Sequence, residues 1–156
     1  MSHQLAELLL LRGYRLVVAE SCTGGWVAKV LTDLPGSSNW FDRGYVSYSN
    51  QAKQSMLGVS SETLEHFGAV SLQTVGEMTR GALQESGAEV ALAISGIAGP
   101  GGGSEEKPVG TVCFSWQMVG QAPQLEQCCF SGDRQQVRVR SVDHALSRLI
   151  RLLENV

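Results

Sequence analysis

A serine that follows a hydrophobic strand and opens a glycine-rich turn is placed to act as a nucleophile, and Ser21 in VVAESCTGGWVAKV has that setting. A side chain at such a junction is aimed past the sheet edge, and glycines let backbone N–H groups at a helix start approach a bound oxygen closely. That is the architecture of a nucleophile beside an oxyanion hole, with Thr23, Gly24 and Gly25 as candidate contacts to substrate. A plainer account also fits these residues, in which Ser21 or Thr23 caps the helix and the glycines permit close packing.

Serine is a weak nucleophile until a base takes its proton, and a lysine with a lowered pKa is one such base. The sequence holds three lysines, Lys29, Lys53 and Lys107. Lys29 falls within a helix and Lys107 in a glycine-rich loop, whereas Lys53 follows Tyr45 and Tyr48 in YVSYSNQAK at a second strand-to-helix junction. Lys53 is therefore the better base, against the alternative of a solvated helix lysine beside core tyrosines. The loop SGIAGPGGGSEEKPVGT leaves a buried strand at Ser95 and Gly96, and with Gly99 suits a backbone cradle for phosphate or ribose. A flexible surface excursion is its ordinary alternative. Arg134 and Arg138, four apart at the start of the last helix, share a face that could meet a phosphate or simply be solvated.

Other chemistries lack their motifs. No GxxxxGK[ST] is present, and the third glycine of a GxGxxG around Gly99 and Gly101 is replaced by Ser104, which argues against those nucleotide-binding loops. No GxSxG surrounds any serine, and His3, His66 and His144 are dispersed with no HExxH, so neither a Ser-His-Asp triad nor a catalytic zinc site is suggested. Cys22, Cys113, Cys128 and Cys129 form no CxxC pair, and neighbours on an extended strand point apart, so they read as reduced thiols with no metal.

The elements that must position these residues follow from periodicity and caps. HQLAELLLLR reads as a helix closed by Gly13, YRLVVAE as a buried strand, and Trp26, Val27, Val30, Leu31 and Leu34 as a helical face. WFDRGYVSYS reads as strand, open to a break at Asp42-Arg43-Gly44, followed by a short helix that Asn50 could cap. SSETLEHF and SLQTVGEMTRGALQES read as serine-led helices, AEVALAIS as a strand, VGTVCFSWQM and PQLEQCCF as two strands joined at Gly120-Gln121-Ala122, and the C-terminal stretch as a helix capped by Asp133. The interleaving predicts an α/β protein, a three-layer α/β/α sandwich with a mixed sheet, formed by residues 1–156 as one domain.

With 156 residues, 43% hydrophobic content and a formal net charge of -3, the chain can bury a core without disulfides and offers no overall basic field for nucleic acid. No apolar stretch approaches the ~20 residues that span a bilayer, and no leader pattern opens the chain, so the expectation is a soluble, cytoplasmic protein.

AESCTGGWVAKVLTDLPGSSNWF, GYVSYSNQAKQSMLGV and SGIAGPGGGSEEKPVGTV together resemble the CinA C-terminal domain family, over nearly the whole chain. The resemblance is nearest to its stand-alone amidohydrolases of pyridine-nucleotide recycling. It implies hydrolysis of nicotinamide mononucleotide to nicotinic acid mononucleotide and ammonia, with Ser21 as nucleophile and Lys53 and Tyr48 as proton-handling partners. It further implies no metal or cofactor, a homo-oligomer, and no nucleic-acid or membrane partner. One departure is Ser95, where many relatives carry threonine before GIAGP. Two other readings stand beside it, a non-catalytic nucleotide-binding or regulatory module and a serine amidase acting on another small amide.

Overall fold

Alternation along the hydrophobic runs decides the layering. The computed structural model describes residues 1–156. In it β1 (Leu16–Glu20), β2 (Phe41–Val46), β3 (Val90–Gly96), β4 (Thr111–Met118) and β5 (Gln124–Cys129) form a sheet in the order β2-β1-β3-β4-β5. β2, β1 and β3 run parallel, as helical crossovers require, while β4 and β5 are added antiparallel through short connections. Leu16, Val18, Leu92, Ile94, Phe114 and Trp116 face one side, beneath α1 (Ser2–Arg12), α2 (Trp26–Thr32) and α6 (Arg134–Glu154). Val17, Ala19, Ala91, Ala93 and Cys113 face the other, beneath α3 (Asn50–Leu57), α4 (Ser61–Phe67) and α5 (Leu72–Ser86). The mixed α/β/α sandwich expected from the sequence is thus what forms, and no helix is long and apolar enough to cross a membrane.

Local chemistry sets the boundaries. Gly13 ends α1 in the left-handed conformation, and Asp133 opens α6 through a reciprocal capping box with Gln136. Two readings need correction. The strand read over 40–49 forms, but only as Phe41–Val46, and in place of the optional break it carries one extra residue, Asp42, where the register with β1 jumps from Phe41 to Arg43. Arg15 and Arg43 both pair with the Asp42 carboxylate, at 2.6 and 2.5 Å, which holds the bulge in place. The cap of α3 is Ser49, whose side chain accepts from Ala52 N–H at 3.0 Å, while Asn50 is the first helical residue.

The alanine-rich face of the sheet lets α5 sit close to it, and α5 in turn presses against the end of α3. A Cβ built on Gly81 would lie 1.8 Å from the Leu57 carbonyl oxygen, against backbone that has no room to move, whereas one on Gly76 would meet only Leu125 at 3.5 Å. Helix propensity alone favours alanine over glycine by about 1 kcal/mol at either position. Gly81→Ala should therefore destabilise the protein by roughly 1–3 kcal/mol or more despite that preference, and Gly76→Ala should be neutral or stabilising. Chemical denaturation midpoints check this; equal effects at the two sites would contradict the close crossing.

Candidate active site

Register brings three strand ends level. Glu20 pairs with Val46 on one side and Ile94 on the other, so the residues that follow, Ser21, Ser47 and Ser95, stand together at the carboxyl ends of the parallel strands, the first two just past β1 and β2 and Ser95 in the last rungs of the ladder of β3. Open α/β sheets bind ligands in this place. Ser21 N–H extends the ladder to the Ile94 carbonyl and Ser47 N–H to the Glu20 carbonyl, so the turn carrying Ser21 begins from a fixed base.

The turn itself is organised by Glu20, which is 1% exposed. Its carboxylate accepts from the Thr23 hydroxyl at 2.6 Å and from the N–H groups of Gly25, Val27 and Ala28 at 3.1, 3.1 and 2.9 Å. A buried carboxylate is tolerated only with such partners, and here it sits against the positive end of α2. Gly24 and Gly25 take φ of 59° and 95°, a conformation that glycine adopts without strain, and this folds the turn back onto the carboxylate. Arg138 closes the outside, donating from Nε to the Cys22 carbonyl at 3.0 Å and from Nη2 to the Thr23 carbonyl at 3.2 Å, with its guanidinium over the Trp26 ring.

Lys53 reaches the same point from α3. Helical side chains lean toward the N-terminus, so Lys53 projects back over the start of α3. Its Nζ lies 3.0 Å from Ser21 Oγ and donates to the carbonyls of Ser47 and Tyr48 at 2.8 and 3.3 Å. The two carbonyls engage two N–H groups, which leaves the remaining position on nitrogen, a lone pair when the amine is neutral, directed at the serine hydroxyl. The residue is 1% exposed, and burial pushes its pKa below the ordinary lysine range. The adjacent Cys22 thiol is driven the other way, up to about 12, chiefly by burial, so it is held as a neutral thiol.

Ser21, Cys22, Tyr48, Lys53, Ala69, Val70, Ser95, Gly96, Ala98 and Arg134 line a cleft of about 200 Å³ around this pair. Ser95 Oγ donates to the Ala69 carbonyl at 2.8 Å and so ties the segment before α5 to the cleft wall. Arg134 stands at the rim, donating to the Gly99 carbonyl at 2.8 Å and to the Tyr48 hydroxyl at 3.2 Å. The phenol of Tyr48 thus meets Arg134, and it is the Tyr48 backbone carbonyl that touches Lys53. Tyr45 packs against the core under α5 and does not line the cleft, and Thr23, Gly24 and Arg138 border a separate hollow with Trp26 and Lys29. Of the two arginines, only Arg134 therefore faces the pair.

Sequence reasoning missed Glu20 as the organiser of the turn, although a carboxylate just ahead of a glycine-rich helix start is a signal for it. Spacing also suggested no metal-ligand cluster, yet away from the cleft the fold brings ligand atoms of Glu126, Cys128 and His144 within 4.8 Å of one another.

The model of the CinA C-terminal domain matches residues 1–153. Over 96% of its length the chain is 54% identical to the nicotinamide-nucleotide amidohydrolase PncC of Escherichia coli (strain K12), covering 90% of that protein, and it is 50% identical to the PncC of Enterobacter agglomerans over 97% and 92% of the two chains. The crystal structure of competence damage-inducible protein A (ComA) from Klebsiella pneumoniae superposes with a TM-score of 0.94 at 41% identity, covering 98% of this chain and 94% of that one.

The geometry makes Glu20 a support of the turn that no neutral residue can copy. In Glu20→Gln one acceptor oxygen becomes an amide donor facing N–H groups, so at least one buried donor loses its partner. The expected loss is about 2–3 kcal/mol, read as a lower urea midpoint at unchanged m. A variant within ~0.5 kcal/mol of the parent would show that the carboxylate does not hold the turn.

Proposed function

The chain belongs to the CinA C-terminal domain family, and from that premise we propose that it is a nicotinamide-nucleotide amidohydrolase, cleaving the carboxamide of nicotinamide mononucleotide to nicotinic acid mononucleotide and ammonia. The observation that carries the reading is the 3.0 Å approach of Lys53 Nζ to Ser21 Oγ inside the cleft. The identity to relatives that bear this activity in their names supports the choice of substrate.

In this scheme Ser21 Oγ attacks the carboxamide carbon while its proton passes to neutral Lys53. The tetrahedral intermediate collapses as the C–N bond breaks, and the Lys53 ammonium returns the proton to the departing nitrogen, which leaves as ammonia. The nicotinoyl ester on Ser21 is then attacked by water, with Lys53 again taking a proton and returning it to Ser21 as the ester bond breaks. The oxyanion of both intermediates needs N–H donors. Those of Gly24, Gly25, Trp26, Val27 and Ala28 are engaged within the protein, whereas those of Cys22 and Thr23 make no internal hydrogen bond. Cys22 N–H, on the cleft wall, is therefore the donor assigned to the oxyanion, and Gly24 and Gly25 serve by shaping the turn. Arg134, at the rim, is the group suited to the substrate phosphate, with Tyr48 positioning its guanidinium. Arg138 supports the turn from behind rather than touching substrate.

An ammonia-release assay tests the activity, with nicotinamide mononucleotide, nicotinamide and asparagine offered in parallel. Only the nucleotide should be turned over. Release from nicotinamide or asparagine at a comparable rate would make the protein a less selective amidase, and no release from any of them would remove the enzymatic reading. Ser21→Ala should fold and lose at least ~10³ in rate, while Cys22→Ala keeps most of it. Equal losses in the two variants would transfer the nucleophile to Cys22.

The pH dependence follows from the direction of the Lys53 shift. The neutral amine is the active form, so the rate should rise with pH through the folded-state pKa, and burial sets that below the free lysine value of about 10.4. Lys53→Arg keeps a charge but cannot release a proton, and should be nearly inactive. A rate close to the parent's in Lys53→Arg would mean that the lysine acts only through its charge.

A further inference from the structure

The sheet edge remote from the cleft carries a second set of reactive side chains. Glu126 and Cys128, two apart on β5, project from the same strand face, and His144 meets them from α6. Cys128 Sγ lies 3.6 Å from His144 Nε2, Glu126 Oε1 lies 3.3 Å from the same nitrogen, and Sγ and Oε1 are 3.6 Å apart. A charge-assisted imidazolium–carboxylate hydrogen bond would close to about 2.7–2.9 Å. A Cys-His-Glu relay would set the thiol and the carboxylate on opposite ring nitrogens. Here both face Nε2, which holds a single proton. For ligands on a tetrahedral zinc ion, the bond lengths of thiolate, imidazole and carboxylate give edges of about 3.5 Å for S···N and S···O and about 3.3–3.4 Å for N···O. The three observed separations match that triangle.

We propose that Glu126, Cys128 and His144 form a binding site for one Zn2+ ion, with water as the fourth ligand, that clamps the edge strand β5 to α6. The donor set of thiolate, imidazole and carboxylate selects a borderline transition ion over Mg2+ or Ca2+, which take oxygen shells. The histidine is pre-oriented, since Phe114, Phe130 and Trp116 surround its ring at centroid distances of 4.9, 5.8 and 6.1 Å. It is also 29% exposed, which leaves an approach for the ion and room for the water. Arg148, 3.8 Å from the second Glu126 oxygen, offsets the extra negative charge once the thiol has lost its proton. The site shares no residue with the Ser21 cleft, so its role is to secure to α6 an edge strand whose one ladder partner is β4.

The test strips the protein with a strong chelator and titrates it with Zn2+, with Mg2+ in parallel, and with Co2+ as a spectroscopic probe. The expected result is one equivalent of Zn2+ bound with a rise in Tm, no response to Mg2+, and a Co2+ spectrum with tetrahedral ligand-field bands and a thiolate-to-cobalt charge-transfer band. Cys128→Ser should abolish that band, and Cys128→Ser and His144→Gln should each weaken Zn2+ binding at least about tenfold. Cys129→Ser, one residue along and facing the opposite way, should change neither. Where Cys128→Ser folds poorly, the cobalt spectrum of the unaltered protein and the Zn2+ affinity of Glu126→Gln decide the matter. No thiolate band in the unaltered protein, a band that survives in Cys128→Ser or vanishes in Cys129→Ser, or an equal response to Mg2+ would overturn the site.

Discussion

The buried carboxylate of Glu20 is the constraint on which the site depends. At 1% exposure it would be costly to bury alone, and the backbone meets that cost by wrapping the next eight residues around it. Four donors converge on two oxygens, three of them peptide N–H groups at the start of α2 that no helix could satisfy internally. One interaction therefore answers two needs, the charge of the side chain and the orphan donors of the helix. Its by-product is the placement of Ser21, which must leave the sheet at the point where the chain begins to turn, with the unengaged N–H groups of Cys22 and Thr23 beside it.

A second constraint comes from the unequal faces of the sheet. Large residues, Leu16, Val18, Leu92, Ile94, Phe114 and Trp116, fill one side, and Ala19, Ala91 and Ala93 leave the other shallow. The shallow side admits α5 and, across it at Gly81, the end of α3. Because α3 is held there, Lys53 is delivered over the strand ends with its stem in protein and its nitrogen against two carbonyls. The lowered lysine pKa is thus a consequence of packing several residues away, since burial is what disfavours the ammonium form.

This division also explains what could be read from the chain beforehand. Buried apolar strand runs, glycine stops and the Asp133 cap are local signals and were legible, as were the residue types at Ser21 and Lys53. Features that depend on partners distant in sequence were not. Arg138 reads as a phosphate ligand by helical spacing with Arg134, and only the fold shows it bonded to carbonyls of Cys22 and Thr23. Tyr48 reads as a partner of Lys53 through its hydroxyl, and the hydroxyl instead meets Arg134, across 86 positions of sequence. The adjacent Cys128 and Cys129 draw the eye as a pair, although on a strand it is Glu126 and Cys128, at alternate positions, that share a face and meet His144.

In the proposed mechanism the preference for Ser21 over its neighbour Cys22 rests on direction rather than on intrinsic reactivity. A thiol is the better nucleophile in water, because a fraction of it is ionised near neutrality. In this turn Cys22 is buried in the core cluster under α1, α2 and α6, and its pKa of about 12 leaves almost no thiolate. Ser21, one residue earlier, meets the amine of Lys53 instead. A hydroxyl needs no prior ionisation if a base lies within hydrogen-bond reach at the moment of attack, whereas a thiol whose burial outweighs its cationic neighbours, Arg138 and Lys53, has lost its advantage. Exchanging the two side chains would accordingly put a thiol against the lysine and a hydroxyl into an apolar wall, and the second change would carry the penalty of a buried polar group in addition to any change in chemistry.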